Sequence, residues 1–597
     1  MRATYRILVT AVGLALAACP NPAENVQCEQ DTNCDLSSGG RCVATTNGHQ
    51  WCAYPDPECP SGYSYSEQGV GDDLGGTCTA GSDLTAELMV MTGGNGAGSV
   101  SSVPEGLECV GSVCTGEFPV GTQIELTPEP TTGVFLGWSE SCSGSTSCVV
   151  TMDTDHRVGA LFGTPGQSLW ASQVGAGGRD AGKAIAVDTD GNIVTVGEFS
   201  GSVQIGATAL TSAGGTDIYV AKLAGATGDV IWAKRFGGTS DDVSTGVAVH
   251  GVAELYVTGS FQGSVNFGGG ALASAGQRDG FVLKLGGSGD HVWSRRFGGG
   301  TSDIGYAITA DASGAAVVGF FTGAITVEGV PLANAGSADI IAAKYAAAGT
   351  LAWAKSFGGT DNDIAYGVAI DGTSNVVVIG KFEGNVNFGG TALSSRLADV
   401  FVLKVAAASG AHLFSKGFGS DQNDYGYAVA VDSADNIYIA GSFAGPIDFG
   451  GGSFPSDLDG NFFLTKLTLA GGHVWSKPFS DTGSASIGTA TSIDINANGD
   501  VALAGLFCGT ISFGGSRTLS AAGACDAYAT RLSGADGAHL NSARMGGTAT
   551  EYGSGVAHAA DGRFFVTGSF GGLGEFGGKA LTSAGGDDSF IVALAPL

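Results

Sequence analysis

From residue 165 onward the chain alternates short apolar runs with clusters of Gly, Asp, Asn and Ser. One period contains Gly246-Val-Ala-Val249, Leu255-Tyr-Val-Thr-Gly-Ser-Phe261, Gly280-Phe-Val-Leu-Lys-Leu285 and His291-Val-Trp-Ser-Arg-Arg-Phe297. Val, Phe and Tyr favour strands. The clusters between them hold the residues that turns require. Each period therefore predicts four strands. A solenoid of helices is excluded, because the 3.6-residue apolar period it needs is absent.

The period is set by an aromatic residue followed four positions later by Phe-Gly. Trp232 precedes Phe236-Gly237, Trp293 precedes Phe297-Gly298, and Trp353 precedes Phe357-Gly358. Trp170, Phe414, Trp475 and, degenerately, Asn541 hold the same slot, at steps of 62, 61, 60, 61, 61 and 66 residues. The Gly-Val-Ala-Val-type strand also recurs seven times, near 184, 247, 308, 368, 429, 493 and 556. Four strands in a unit of about 60 residues fit a propeller blade, whereas a parallel β-helix has shorter coils. The first tryptophan strand, Leu169-Trp170-Ala171-Ser172, precedes any complete unit, and the last unit ends at Phe590–Leu594 without one. The expected fold is all-β: a seven-bladed β-propeller over 165–597, with its N-terminal strand closing the last blade. Closure removes sheet edges that invite aggregation. The recurring strand motifs resemble the bacterial β-propeller repeat of SBBP type over about 430 residues.

Ahead of this array, residues 83–163 carry alternating segments such as Glu87-Leu-Met-Val-Met91 and Gln123-Ile-Glu-Leu126. Gly137-Trp138-Ser139, then Cys142 and Cys148-Val-Val-Thr-Met152, resemble the extracellular repeat related to internalin B-repeats. The resemblance implies a small disulfide-pinned β domain. Within it Cys109 and Cys114 are expected to close one loop, and Cys142 and Cys148 another, with Trp138 in the core.

Residues 27–82 hold Cys28, Cys34, Cys42, Cys52, Cys59 and Cys78 and lack apolar periodicity, so bridges are expected to replace a core. Their spacing is similar to small cysteine-rich modules of bacterial lipoproteins. Six cysteines allow 15 pairings, and the spacing selects none. Cys508 and Cys525 stand apart, in the loop between the second and third strands of the sixth unit, as a local staple.

The N-terminus reads as an export signal. Arg2 and Arg6 precede an apolar run, Ile7–Leu16, and then Leu16-Ala-Ala-Cys19. This resembles a bacterial lipobox. It implies a signal peptide over 1–18, a lipid on Cys19 and a tether over 19–26. Without Cys19 the 13 cysteines become 12, an even number suited to an oxidising compartment. The expected partner at this end is a membrane, reached through the lipid anchor, at the outer membrane or cell surface.

Composition narrows function. With 26 Lys+Arg against 56 Asp+Glu the formal charge is −30, which argues against nucleic acid. Six acids recur four residues before the first strand: Asp180, Asp242, Asp303, Asp363, Asp424 and Glu551, with Gly488 in the sixth unit. They form either a candidate acidic ring at one channel mouth or a set of turn caps, and capping is the preferred reading. A second set, Asp217, Asp279, Asp339, Asp399, Asp526 and Asp588, with Asn461 in the fifth unit, reads as structural. Asp494–Asp500 imitates the start of a calcium loop, but the twelfth position is Gly505, and a plain turn is preferred. His291, His412, His473 and His539 fall one per unit at an outer rim. No nucleophile, metal or cofactor motif appears, and no polar set singles out one blade.

The reading is therefore a non-catalytic exported lipoprotein whose monomeric propeller binds an unidentified protein or glycan, with no catalytic residues, metal or cofactor. The alternatives are an extracellular polymer-acting lyase or hydrolase and a purely structural envelope component.

Overall fold

The computed structural model describes residues 41–596 apart from 45–48, 57–58, 60–62, 67–73, 80–84, 95, 143–147, 456–460, 481–487 and 516–517. Cys19, Cys28, Cys34 and the export signal lie outside the described residues. Among the described residues all regular elements are strands.

The first unit is a three-stranded antiparallel sheet, Arg41–Ala44, Gln50–Pro55 and Tyr63–Tyr65. Contrary to expectation it has a small core: Val43, Trp51, Ala53 and Tyr65 are buried together. The strands are too short for this alternation to register as a period. Cys59 bonds Cys78, and Cys42 and Cys52 are also disulfide-bonded.

The second unit packs two sheets around Leu88, Ile124, Trp138, Val158 and Phe162. One has three strands. The other has five, with Thr85–Gly94 running parallel to His156–Gly163. Cys109 bonds Cys114 and Cys142 bonds Cys148.

Between Ser168 and Leu594 the described residues form seven main antiparallel sheets, six of them four-stranded and the sixth in order extended to six strands by a further hairpin, with four separate two-stranded hairpins beside them. In the second these are Val243–His250, Glu254–Phe261, Asp279–Gly286 and His291–Phe297. The middle two strands of each sheet are buried on both faces. Leu255, Tyr256, Val257, Phe281, Val282 and Leu283 are all 0% exposed. Such strands read as continuous apolar runs because neighbouring sheets cover both sides. Each large side chain contributes about 1.5–3 kcal/mol by leaving water.

The last sheet takes Tyr552–His558, Phe564–Phe570 and Asp588–Leu594 from the C-terminal end and Ser168–Val174 from the N-terminal end. Ser172 pairs with Ile591 and Ala171 with Val592. In the sixth sheet Cys508 lies opposite Cys525 on paired strands and bonds to it. The two cysteines thus staple a long hairpin rather than a loop.

The anchor tryptophans tie the sheets that carry them to the sheets that follow. Trp232 Nε1 donates to the Gly287 carbonyl at 3.0 Å, Trp293 to Ala347 at 3.0 Å, and Trp353 to Ala407 at 2.9 Å. Each acceptor sits in the turn between the third and fourth strands of the following sheet. Trp170, on the N-terminal strand, donates to Gly225 of the first sheet at 2.9 Å. A glycine in each turn lets the indole close. At Gly349 an added Cβ would lie 2.7 Å from the Trp293 ring.

Candidate functional site

A central cavity of about 730 Å³ is lined by the first strand of every one of the seven sheets. Each of those strands carries a register shift at the same place: after Gly182, Ser244, Gly305, Ala365, Gly426, Ala490 and Gly553. A β-bulge leaves one residue out of the ladder and re-aims its side chain. The seven residues so displaced are Lys183, Thr245, Tyr306, Tyr366, Tyr427, Thr491 and Ser554, and all line the cavity.

This ring is lopsided. The third, fourth and fifth sheets supply three adjacent tyrosines. Tyr306 and Tyr366 have ring centroids 5.3 Å apart, and Tyr366 and Tyr427 5.6 Å apart, with interplanar angles of 55° in both pairs. Tyr425 stacks behind Tyr427 at 5.9 Å and 9°. The three wall tyrosines are half-buried, and burial raises the pKa of each phenol. They are neutral hydroxyl-bearing rings at any ordinary pH.

The opposite wall is small and polar. Lys183 Nζ lies 3.0 Å from Glu198 Oε1. Thr245 Oγ1 donates to the Gly305 carbonyl at 2.6 Å, and Thr491 Oγ1 to that of Gly553 at 2.5 Å. These bonds link one inner strand to the next.

The ring was legible in principle. Each member stands three residues after the acidic position, as in Asp303-Ile-Gly-Tyr306 and Asp363-Ile-Ala-Tyr366. It is the position where an otherwise repetitive strand changes residue class.

Towards the other end of these strands a second break in the repeat appears, correcting the expectation that no polar set singles out one blade. Asp494 and His558 line the cavity. Asp494 Oδ2 accepts from the His558 backbone N–H at 2.7 Å and lies 3.2 Å from Nδ1. His558 Nε2 is buried, and the ring packs on Phe564 at 4.3 Å. The far nitrogen therefore has no route to a substrate in the channel. The neighbouring loop is a turn: Asn496 Oδ1 accepts from Asn498 and Asp500 N–H, and Asp500 holds Arg531. Among the described residues no group of three or more potential metal ligands is found.

The acids of the candidate ring are fully buried and absent from the cavity wall. Asp180, Asp242, Asp303, Asp363 and Asp424 each accept two backbone N–H groups, one per carboxylate oxygen. For Asp303 these come from Gly299 at 2.7 Å and Thr322 at 3.1 Å. Glu551 accepts the Gly547 N–H at 2.9 Å. These bonds pin the loop entering each sheet to the loop after its second strand. Burial pushes Asp242, Asp303, Asp363 and Asp424 up to about 6, and Glu551 to about 7.

The second set of acids lies beside them, buried except for Asp399, which is half-buried. Asp217, Asp279 and Asp526 meet Arg235, Arg296 and Arg544. Each acid in this set keeps one oxygen without a hydrogen bond.

The repeated histidines are not exposed rim groups. A Cβ at Gly269 would lie 2.1 Å from His291 Cε1, and the same fit recurs at Gly390 with His412 and Gly451 with His473. His291, His412 and His473 bond Ser294, Ser415 and Ser476. The glycine pairs of these hairpins are sockets for imidazoles.

A family model described as "Beta-propeller repeat" (SBBP) matches residues 410–442. Those residues thus carry a β-propeller repeat, and they fall within the fourth and fifth of the repeated sheets. No curated protein matches the chain. Solved structures similar to it include the Dos1 propeller, at 9% identity over 71% of this chain and 95% of that one, with a TM-score of 0.33. BamB from Moraxella catarrhalis is similar at 12% identity over 65% and 96%, with a TM-score of 0.30. Quinohemoprotein alcohol dehydrogenase from Comamonas testosteroni is similar at 13% identity over 72% and 76%, with a TM-score of 0.32. The four described disulfide pairs point to an extracellular or envelope compartment.

Proposed function

We propose that the seven sheets form one closed seven-bladed wheel on an exported lipoprotein, anchored at Cys19, that recognises a protein or glycan without chemistry. Closure is supported by the pairing of Ser168–Val174 with Asp588–Leu594 and by Trp170 reaching Gly225. Anchoring is supported by the residues Leu16-Ala-Ala-Cys19. The outer membrane or cell surface is the proposed address.

One observation carries the recognition reading. The buried acids and the tryptophan latches recur from sheet to sheet, while the channel-facing bulge residues run Lys, Thr, Tyr, Tyr, Tyr, Thr, Ser. A purely structural wheel has no need of a one-sided wall. An enzyme needs an armed acid or base, and in the polar pair of the channel the imidazole of His558 is buried with its Nε2 turned into the protein, while Asp494 is spent holding its Nδ1 and backbone N–H. The test is a binding screen of the purified full chain on glycan and envelope-protein arrays, alongside a turnover assay on extracellular polymers. Saturable binding without cleavage supports the reading; polymer cleavage overturns it. Loss of acyl labelling in Cys19→Ser supports the anchor.

A further inference from the structure

We propose that the tyrosine wall of the central channel, formed by Tyr306, Tyr366 and Tyr427, binds an uncharged oligosaccharide. The inference rests on the recognition reading and names its ligand class.

Three half-buried rings, each tilted 55° from the next with centroids 5.3 and 5.6 Å apart, give a curved aromatic surface around one arc. Aromatic faces take the C–H faces of a sugar ring, and phenol hydroxyls meet its hydroxyls at the rim. Facing them are the short hydroxyls of Thr245 and Ser554 and the Lys183–Glu198 pair, which give a sugar donors and acceptors without a net local charge. A cavity of about 730 Å³ lies within the range of small-ligand sites, ~300–1,000 Å³.

Charge selects within the class. The chain carries a formal −30, so its field opposes acidic polysaccharides. Geometry argues against a peptide. A peptide that adds to a sheet needs free edge groups on a strand. Here Thr245 and Thr491 already occupy the edge carbonyls of Gly305 and Gly553. Towards the far end the cavity also meets Leu136 of the small β unit and Pro596, so the tyrosine end is the entry.

The test is calorimetric titration of the full chain with neutral gluco-, galacto-, xylo- and N-acetylglucosamine oligosaccharides, with Tyr366→Ala and Tyr366→Phe in parallel. Circular dichroism confirms that each variant is folded. At least one series is expected to saturate the wild type. Tyr366→Ala weakens it about tenfold or more, and Tyr366→Phe stays within about threefold, because stacking survives without the hydroxyl. If Tyr366→Ala unfolds, Tyr306→Phe and Tyr427→Leu carry the same comparison. Absence of binding by every neutral series overturns the proposal, as does binding that ignores all tyrosine changes. A synthetic peptide array separates the two levels. Peptide binding that is lost in Tyr366→Ala overturns the glycan assignment and leaves recognition intact. No binding to either array removes both.

Discussion

Asp279, on the third strand of the second sheet, and Asp303, at the start of the third sheet, present carboxylates to the same point. A Cβ on Gly298 would lie 2.9 Å from Asp279 Oδ1 and 2.9 Å from Asp303 Oδ2. The equivalent acids lie close enough to influence one another at Asp217/Asp242, Asp339/Asp363, Asp399/Asp424, Asp526/Glu551 and Asp588/Asp180. At the remaining boundary both acids are missing together: the fifth sheet has Asn461 and the sixth begins at Gly488. The two repeated acids are thus one device, a pair of buried carboxylates at a sheet boundary.

That pairing fixes a pH dependence. Burial and the neighbouring Asp424 push Asp399 up to about 7, and burial pushes Asp588 up to about 6. With Asp242, Asp303, Asp363, Asp424 and Glu551, these groups hold protons in the folded chain that the unfolded chain releases near pH 4. Their contribution favours the fold most at the acid end of this window and is lost as pH rises through about 6 to 7. Asp371 and Asp432 act with the opposite sign: despite burial, Lys404 and Asn375 hold Asp371, and Asn436 holds Asp432, below the usual carboxylate range. Their contribution is lost only at lower pH. Thermal unfolding should therefore show a melting temperature that falls between about pH 5 and pH 8. Asp399→Asn should flatten that slope and raise stability at about pH 8. A melting temperature that climbs across the window counts against the paired-carboxylate account.

Gly298 should be irreplaceable. Alanine there meets Asp279 Cγ at 2.6 Å, and both carboxylates are held by backbone bonds. Gly298→Ala should cost about 2–4 kcal/mol, an overpacking penalty compounded by the disturbed charge pair. Gly300 has nothing within 4 Å of an added Cβ, so Gly300→Ala should stay within about 0.5 kcal/mol. Urea unfolding of the two variants reads the contrast.

The tryptophan latches should carry measurable stability. Trp293 is 6% exposed, packs on Tyr345 with centroids 5.9 Å apart, and donates to Ala347. Trp293→Ala should cost about 3–5 kcal/mol. Trp293→Phe, which mimics the natural Phe414, should cost less, since it loses the hydrogen bond and part of the area. Equal costs for the two would mean that packing across the boundary is not what the indole supplies.

Much of this architecture was legible because it repeats. Trp232, Phe236-Gly237 and the acids recur near a 60-residue step, and repetition makes each weak signal visible several times over. The meaning of the glycines was not legible. Gly269 exists for His291, Gly349 for Trp293 and Gly298 for Asp279, and each partner stands on another strand or sheet. The pairing of the two acid sets was hidden for the same reason, since it crosses a sheet boundary. The tyrosine wall escaped because it depends on a bulge, and one unpaired residue reverses which side chains face the channel. The four-residue core of the first unit was too short to register as alternation.

In the proposed wheel the first strand closes the last sheet, and amide hydrogen exchange read by mass spectrometry tests that closure directly. Peptides covering Ser168–Val174 and Asp588–Leu594 should exchange slowly and together, at rates like those of the buried strand Asp279–Gly286. Rapid exchange over Ser168–Val174 while the other strands stay protected would mean an open seventh sheet, and the closed channel with its tyrosine wall would fall with it.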